Sequence, residues 1–243
     1  MGYIRLRLGP SWRKFHLMPL LYYLKYFVQT AVKWNIRLAW FTVINDMRGE
    51  WKYQLRTSRI DDLKSLTITG ENLRNGDIYL GSNYFLLEKS FRQIKDTGMK
   101  GLVDFGCGKG RVLIVAARFG FTKITGVEFA RELCELAEKN VAVNRSRYPR
   151  AIFSVLHMDA VDYKVEPDDE VFFFYNPFNH LVLIRVIRNI QASLKTHPRK
   201  VHVIYLFPQL KILFEKTGFT EIFHYKKMDT EEISIFTNTG AAS

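Results

Sequence analysis

Acidic residues are missing from the first 45 positions of this 243-residue chain; Asp46 is the first. Up to that point the formal charges are Arg5, Arg7, Arg13, Lys14, Lys25, Lys33 and Arg37, all positive, and they supply more than half of the net charge of +12. Cysteine is almost absent. Cys107 and Cys134 have no metal-like neighbours, which excludes a disulfide framework and points to a reducing, cytoplasmic compartment. The few histidines are scattered, and Pro198 between His197 and His202 argues against a metal pair there. No uncharged run reaches the ~18 residues a membrane-spanning helix needs. Lys25 interrupts the first apolar stretch and no A-x-A site follows it, which argues against a secretory signal. Internal repeats, low-complexity tracts and a recognisable Ser-His-Asp set are also missing.

What is present is enough apolar material, 47% of residues, for one large core. From residue 82 the pattern alternates. Ser82 or Asn83 caps a helix carrying Leu87, Phe91 and Ile94, closed by Gly98. Strands are expected at 101–105, 124–127, 151–156, 171–175 and 200–207, and helices at 111–119, 131–144, 181–194 and 209–217. Residues 219–225 and 232–238 read as a closing pair of strands. Alternating strands and helices imply a parallel sheet with right-handed crossovers. The expected division is a basic, aromatic-rich helical extension over 1–81 and an α/β domain over 82–243.

The turn Asp104-Phe105-Gly106-Cys107-Gly108-Lys109-Gly110 carries the most information. It joins an apolar strand to a helix. Alternating glycines let the chain turn tightly and let a ligand lie against the main chain, while the N–H groups of the following helix face that ligand. The spacing is G-x-G-x-G. A dinucleotide fingerprint needs a third glycine where Arg111 stands, so an NAD-type oxidoreductase is disfavoured. A P-loop needs Ser or Thr after its lysine, and Lys109 has none. A carboxylate before the turn, Asp104, suits an amine or sulfonium better than a pyrophosphate. Glu128 ends the second strand 24 residues later, where an acid accepts hydrogen bonds from ribose hydroxyls.

These residues, with His157-Met158-Asp159-Ala160 after the third strand and Tyr175-Asn176-Pro177-Phe178 after the fourth, resemble the motifs of class I S-adenosylmethionine (SAM) methyltransferases. The resemblance covers about residues 82–238. It implies a doubly wound, mostly parallel seven-stranded Rossmann-like sheet with a terminal antiparallel pair. It implies that SAM lies on Asp104, Gly106, Gly108 and Gly110 at its methionine end, on Glu128 at the ribose, and on Asp159 and Met158 at the adenine. The last motif departs from the usual Asn/Asp-Pro-Pro-Tyr/Phe of nitrogen-directed enzymes by one residue. It implies an acceptor nitrogen, protein lysine or another amine, oriented by Asn176 with Phe178 offering a ring face. Pro177 and Tyr84 are expected on the acceptor side. A nucleic-acid base or a small amine stays open as the acceptor. The alternative class is a membrane-associated or scaffolding protein that binds SAM without transferring its methyl group.

Residues Pro19 to Asn45 read as one helix, with Lys25, Gln29, Lys33 and Arg37 recurring every fourth residue as a narrow polar stripe. Two readings stand. The helix lies peripherally on an anionic membrane, aromatics at the interface and cations among headgroups. Or it packs on the catalytic domain as a lid, with its stripe in solvent.

Overall fold

A computed structural model describes residues 17–33, 35–58, 81–175, 178–228 and 231–238. The chain divides into two compact units, 1–48 and 49–243. The boundary therefore falls inside a helix rather than at residue 82.

In the first unit the helix expected over 19–45 is interrupted. Helix α1 spans Leu17–Lys33 and α2 spans Ile36–Tyr53. Asn35 explains the restart: its side chain accepts from Leu38 N at 2.8 Å, an N-cap bond that satisfies a donor of the new first turn. The polar stripe is thus not continuous, because Arg37 belongs to α2. The Phe27 and Trp40 rings meet edge to face with centroids 4.9 Å apart, which ties the two helices together.

The second unit is an α/β sandwich. Strands β1 (Gly101–Phe105), β2 (Lys123–Glu128), β3 (Ile152–His157), β4 (Val171–Tyr175), β5 (His202–Leu206), β6 (Phe219–Met228) and β7 (Glu231–Asn238) form one sheet in the order β3-β2-β1-β4-β5-β7-β6. β1 to β5 run parallel, and β7 lies antiparallel between β5 and β6. This is the doubly wound sheet with a terminal antiparallel pair that the motifs imply.

Strand alternation builds two cores. On one face Leu102, Ile124, Phe173 and Ile204 pack with helices α3 (Tyr84–Ile94), α4 (Arg111–Arg118) and α5 (Arg131–Asn144). On the other, Val103, Phe105, Phe172 and Phe174 pack with α6 (His180–Thr196) and with Phe214 of α7 (Ile212–Glu215). An apolar run such as Val171–Phe174, buried on both faces, reads as continuous rather than alternating for this reason. Asn83 and Asn179 cap α3 and α6 by accepting from Phe85 N and Val182 N.

The chain from Gly49 onward belongs with the sheet. Lys52 Nζ and the Tyr53 hydroxyl both donate to Glu88 of α3, at 2.5 and 2.8 Å. Arg147 donates to the carbonyls of Lys52 and Tyr53. Gly49 is needed at its position, since a Cβ there would lie 2.1 Å from the Tyr84 ring. Such long-range partners leave no local periodicity, which is why the sequence pattern does not separate 49–58 from the extension.

Candidate functional site

The carboxyl ends of β1 and β4 lie side by side at the centre of the sheet, the place where open α/β sheets bind ligands. The glycine turn leaves β1 at this edge. Gly106, Gly108 and Gly110 have φ of 80°, 52° and 77°, so each residue lies in the left-handed region that side chains disfavour. The turn is pinned to its neighbours. Gly106 N and Cys107 N donate to Val127 O on β2. Asn140 of α5 donates to Lys109 O at 2.9 Å. Gly110 caps α4, and a Cβ there would stand 3.2 Å from Ala137 of α5.

Glu128 is buried and holds the turn from the other side. One carboxylate oxygen accepts from Gly108 N at 2.9 Å and the other from Ala130 N at 3.0 Å. Each oxygen keeps a lone pair for a further donor, as a ribose hydroxyl would be. Burial pushes the Glu128 carboxyl above its usual range, against the lowering effect of those backbone N–H bonds.

Asp104 is 2% exposed, and its Oδ2 has no hydrogen-bond partner. Burial first, then the neighbouring Glu128 charge, holds its carboxyl well above the ordinary carboxylate range. A buried carboxylate with an orphaned oxygen is costly. A cationic group brought to it relieves both terms, so the two acids fit a ligand with a positive charge near β1 and hydroxyls near β2. Both cysteines are free and buried. Burial raises the Cys107 thiol well above its usual value and that of Cys134 to about 12.

The end of β3 adds the third wall. Met158 N donates to Glu128 O, which brings Met158 beside the second strand. Asp159 caps the short 3-10 turn that follows, its Oδ1 accepting from Val161 N at 3.0 Å. Asp104, Glu128, Met158 and Asp159 therefore stand on three adjacent strand ends. Phe178, half-buried, packs on the α6 side of the sheet just past β4. Asn176 and Pro177 lie outside the described residues.

Tyr84, expected on the acceptor side, lies in a packed cluster behind the turn. It is buried, stacks on Tyr53 with centroids 5.4 Å apart, and carries the Arg111 guanidinium 4.2 Å over its ring. Arg111 itself was read only as a missing glycine. The structure makes it a hub directly after the turn. It donates to Thr57 Oγ1 at 2.8 Å, Ser58 Oγ at 2.8 Å and Ser82 O at 2.6 Å. Glu50 in turn accepts from Thr57 N and Ser58 N. The strap at 57–58 and the lead into α3 are thereby fastened to the N-terminus of α4. An arginine at the third-glycine position of a phosphate-type turn was the one available signal, but its acceptors lie more than 25 residues away in sequence.

Residues 102–197 match the family model described as a methyltransferase domain. A search of curated proteins returns no significant match. Among solved structures the chain is similar to the ribosomal protein L11 methylase of Lactobacillus delbrueckii subsp. bulgaricus, with 14% identity, a TM-score of 0.50, and coverage of 66% of this chain and 81% of that one. It is also similar to the tRNA (uracil-54, C5)-methyltransferase of Pyrococcus abyssi, solved with S-adenosyl-L-homocysteine, at 14% identity and a TM-score of 0.48, covering 65% of this chain and 39% of that one. At 14% identity the likeness to the L11 methylase speaks for the fold alone.

Proposed function

We propose, from the premise that this chain carries a methyltransferase domain of the class I Rossmann-like fold, that it transfers a methyl group from SAM to an amine nitrogen, of a protein lysine or another amine. The observation that carries the cofactor is the buried pair Asp104 and Glu128 framing the glycine turn, one with an orphaned oxygen. Asp104 receives the ammonium of the methionine end, and the turn's backbone lets that end approach. Glu128 accepts from the ribose hydroxyls while keeping Gly108 in place. Met158 lies against the adenine ring, and Asp159 takes its amino group.

When bound, SAM would supply a sulfonium methyl carbon for in-line attack by an acceptor lone pair, the methyl–sulfur bond breaking as the methyl–nitrogen bond forms and S-adenosylhomocysteine departing. The chain's contribution is then largely positional. Asn176, which follows β4 in sequence, accepts from the acceptor N–H and aims its lone pair. Phe178 presents a ring to the cationic donor, and Pro177 shapes the acceptor side. The sequence Asn176-Pro177-Phe178 at this strand end supports nitrogen as the target.

Incubating enzyme and labelled SAM with fractionated cell extract tests the acceptor: label in protein, hydrolysing to methyl-lysine, is expected. Label confined to nucleic acid overturns the amine reading, and SAM binding with no labelled fraction returns the chain to a binding role. Asn176→Ala is expected to lower turnover on the order of 10- to 100-fold, the loss of one hydrogen bond made to the reacting group. SAM affinity should stay nearly unchanged. A fall in affinity without a fall in turnover per bound enzyme would make Asn176 a cofactor contact.

Asp104→Asn separates stability from binding. Because the folded protein holds the Asp104 carboxyl above its unfolded value, its ionisation costs stability. Its contribution is full below the unfolded pKa, about 4, and is lost as pH rises through the folded value. Without ligand, the asparagine variant should therefore gain melting temperature over wild type as pH rises. SAM affinity should fall by about 10- to 100-fold, as for a hydrogen bond to a charged group. Thermal melts across pH and calorimetric titration read both. A variant that binds SAM as tightly as wild type removes Asp104 from the cofactor site.

A further inference from the structure

Helices α1 and α2 leave a row of large apolar side chains uncovered. Leu24, Val28 and Val32 recur every fourth residue on α1, and Ile36, Trp40 and Ile44 do so on α2. Val32 is 83% exposed. Buried Leu38 and Ala39 lie on another side of α2 from this row. Exposed rows of this size mark interaction surfaces. Among the described residues no helix is long and apolar enough to cross a membrane.

Charge identifies the occupant. Lys25 stands exposed beside the row on α1, and Arg37 and Arg48 beside it on α2. Asp46, the first acid in the chain, is buried. The first 45 residues carry seven cations and no acid, so two copies facing each other would set like charges together. An apolar row edged by cations on helices that do not span fits the headgroup boundary of a lipid surface. We infer that the exposed face of α1 and α2 docks the protein on an anionic lipid bilayer. The apolar row sinks to the acyl boundary, and Lys25, Arg37 and Arg48 meet the lipid phosphates and carboxylates.

Sedimentation of the full chain with vesicles tests this, using phosphatidylcholine alone and phosphatidylcholine with a third phosphatidylglycerol. Binding to the anionic vesicles at low salt, with release as salt rises past the screening range, is expected. Changing Lys25, Arg37 and Arg48 together to Gln should weaken partitioning on the order of 100-fold, from the usual contribution of each cation near a charged surface. Changing Val28, Val32, Ile36 and Ile44 to Gln should abolish vesicle binding while melting temperature and SAM affinity hold, since all four side chains are exposed. Equal binding to neutral vesicles, or no binding at low salt, overturns the proposal. So does a dimer in size-exclusion chromatography that the apolar variant dissociates, because the face would then belong to a second copy. SAM affinity, measured alongside, reports separately on the transferase reading.

Discussion

Gly108→Val is expected to abolish SAM binding, lowering affinity at least ~100-fold as measured by calorimetric titration. Gly108 stands at φ 52°, and its N–H holds a Glu128 oxygen. A β-branched side chain there is strained by about 1–2 kcal/mol and projects from the turn where the ligand must lie against the backbone. The strain is small against the stability of a domain of this size, so circular dichroism should still show the folded sheet. Gly108→Asn provides the control, because asparagine tolerates the left-handed region. It should keep the fold with less strain and still weaken binding, since it too has a side chain. A folded valine variant with wild-type affinity would mean that the ligand does not approach the turn, and the assignment of Asp104, Gly106, Gly108 and Gly110 would fail together.

The second large effect concerns the latch behind that turn. Arg111→Ala is expected to destabilise the domain by about 3–5 kcal/mol in urea unfolding, the cost of leaving three buried acceptors without their donor. Three acceptors, Thr57 Oγ1, Ser58 Oγ and Ser82 O, lose their donor, and the Tyr84 ring loses the cation above it. Arg111→Lys should not restore stability, because one ammonium cannot reproduce the planar fork that reaches three separated acceptors. Hydrogen exchange gives an independent readout. The amides of Thr57 and Ser58, bonded to Glu50, should lose protection before those of β1 and β4. A loss under ~1 kcal/mol with unchanged protection would show that the strap at 57–58 is held by something other than Arg111.

These two positions differ in how visible they were beforehand. Gly108 was legible because a ligand-binding turn is local: strand, glycines and helix follow one another, and the backbone requirement is written in residue type. The strand ends carrying Glu128, Met158 and Asp159 were legible for the same reason, each marked by an apolar run that stops at a polar residue. Arg111 was visible only as a departure from a motif. Tyr84 precedes the turn in sequence, but its packing against Tyr53 and Arg111 is visible only in the structure.

By itself, the sequence determined the order of the elements, the parallel character of the sheet with its antiparallel closure, and the cluster of acids and glycines at one edge. Periodicity and glycine spacing are local properties of the chain, and local rules read them. Tertiary structure alone decided three things. Asn35 interrupts the N-terminal helix, since a capping bond to Leu38 depends on how the backbone turns. Residues 49–58 belong to the sheet because Glu88, Arg111 and Arg147 reach them across 35 to 95 positions. And the apolar residues of α1 and α2 divide into a buried face and an uncovered one. Hydrophobicity says that a side chain prefers to leave water, but only packing says which side chains have somewhere to go.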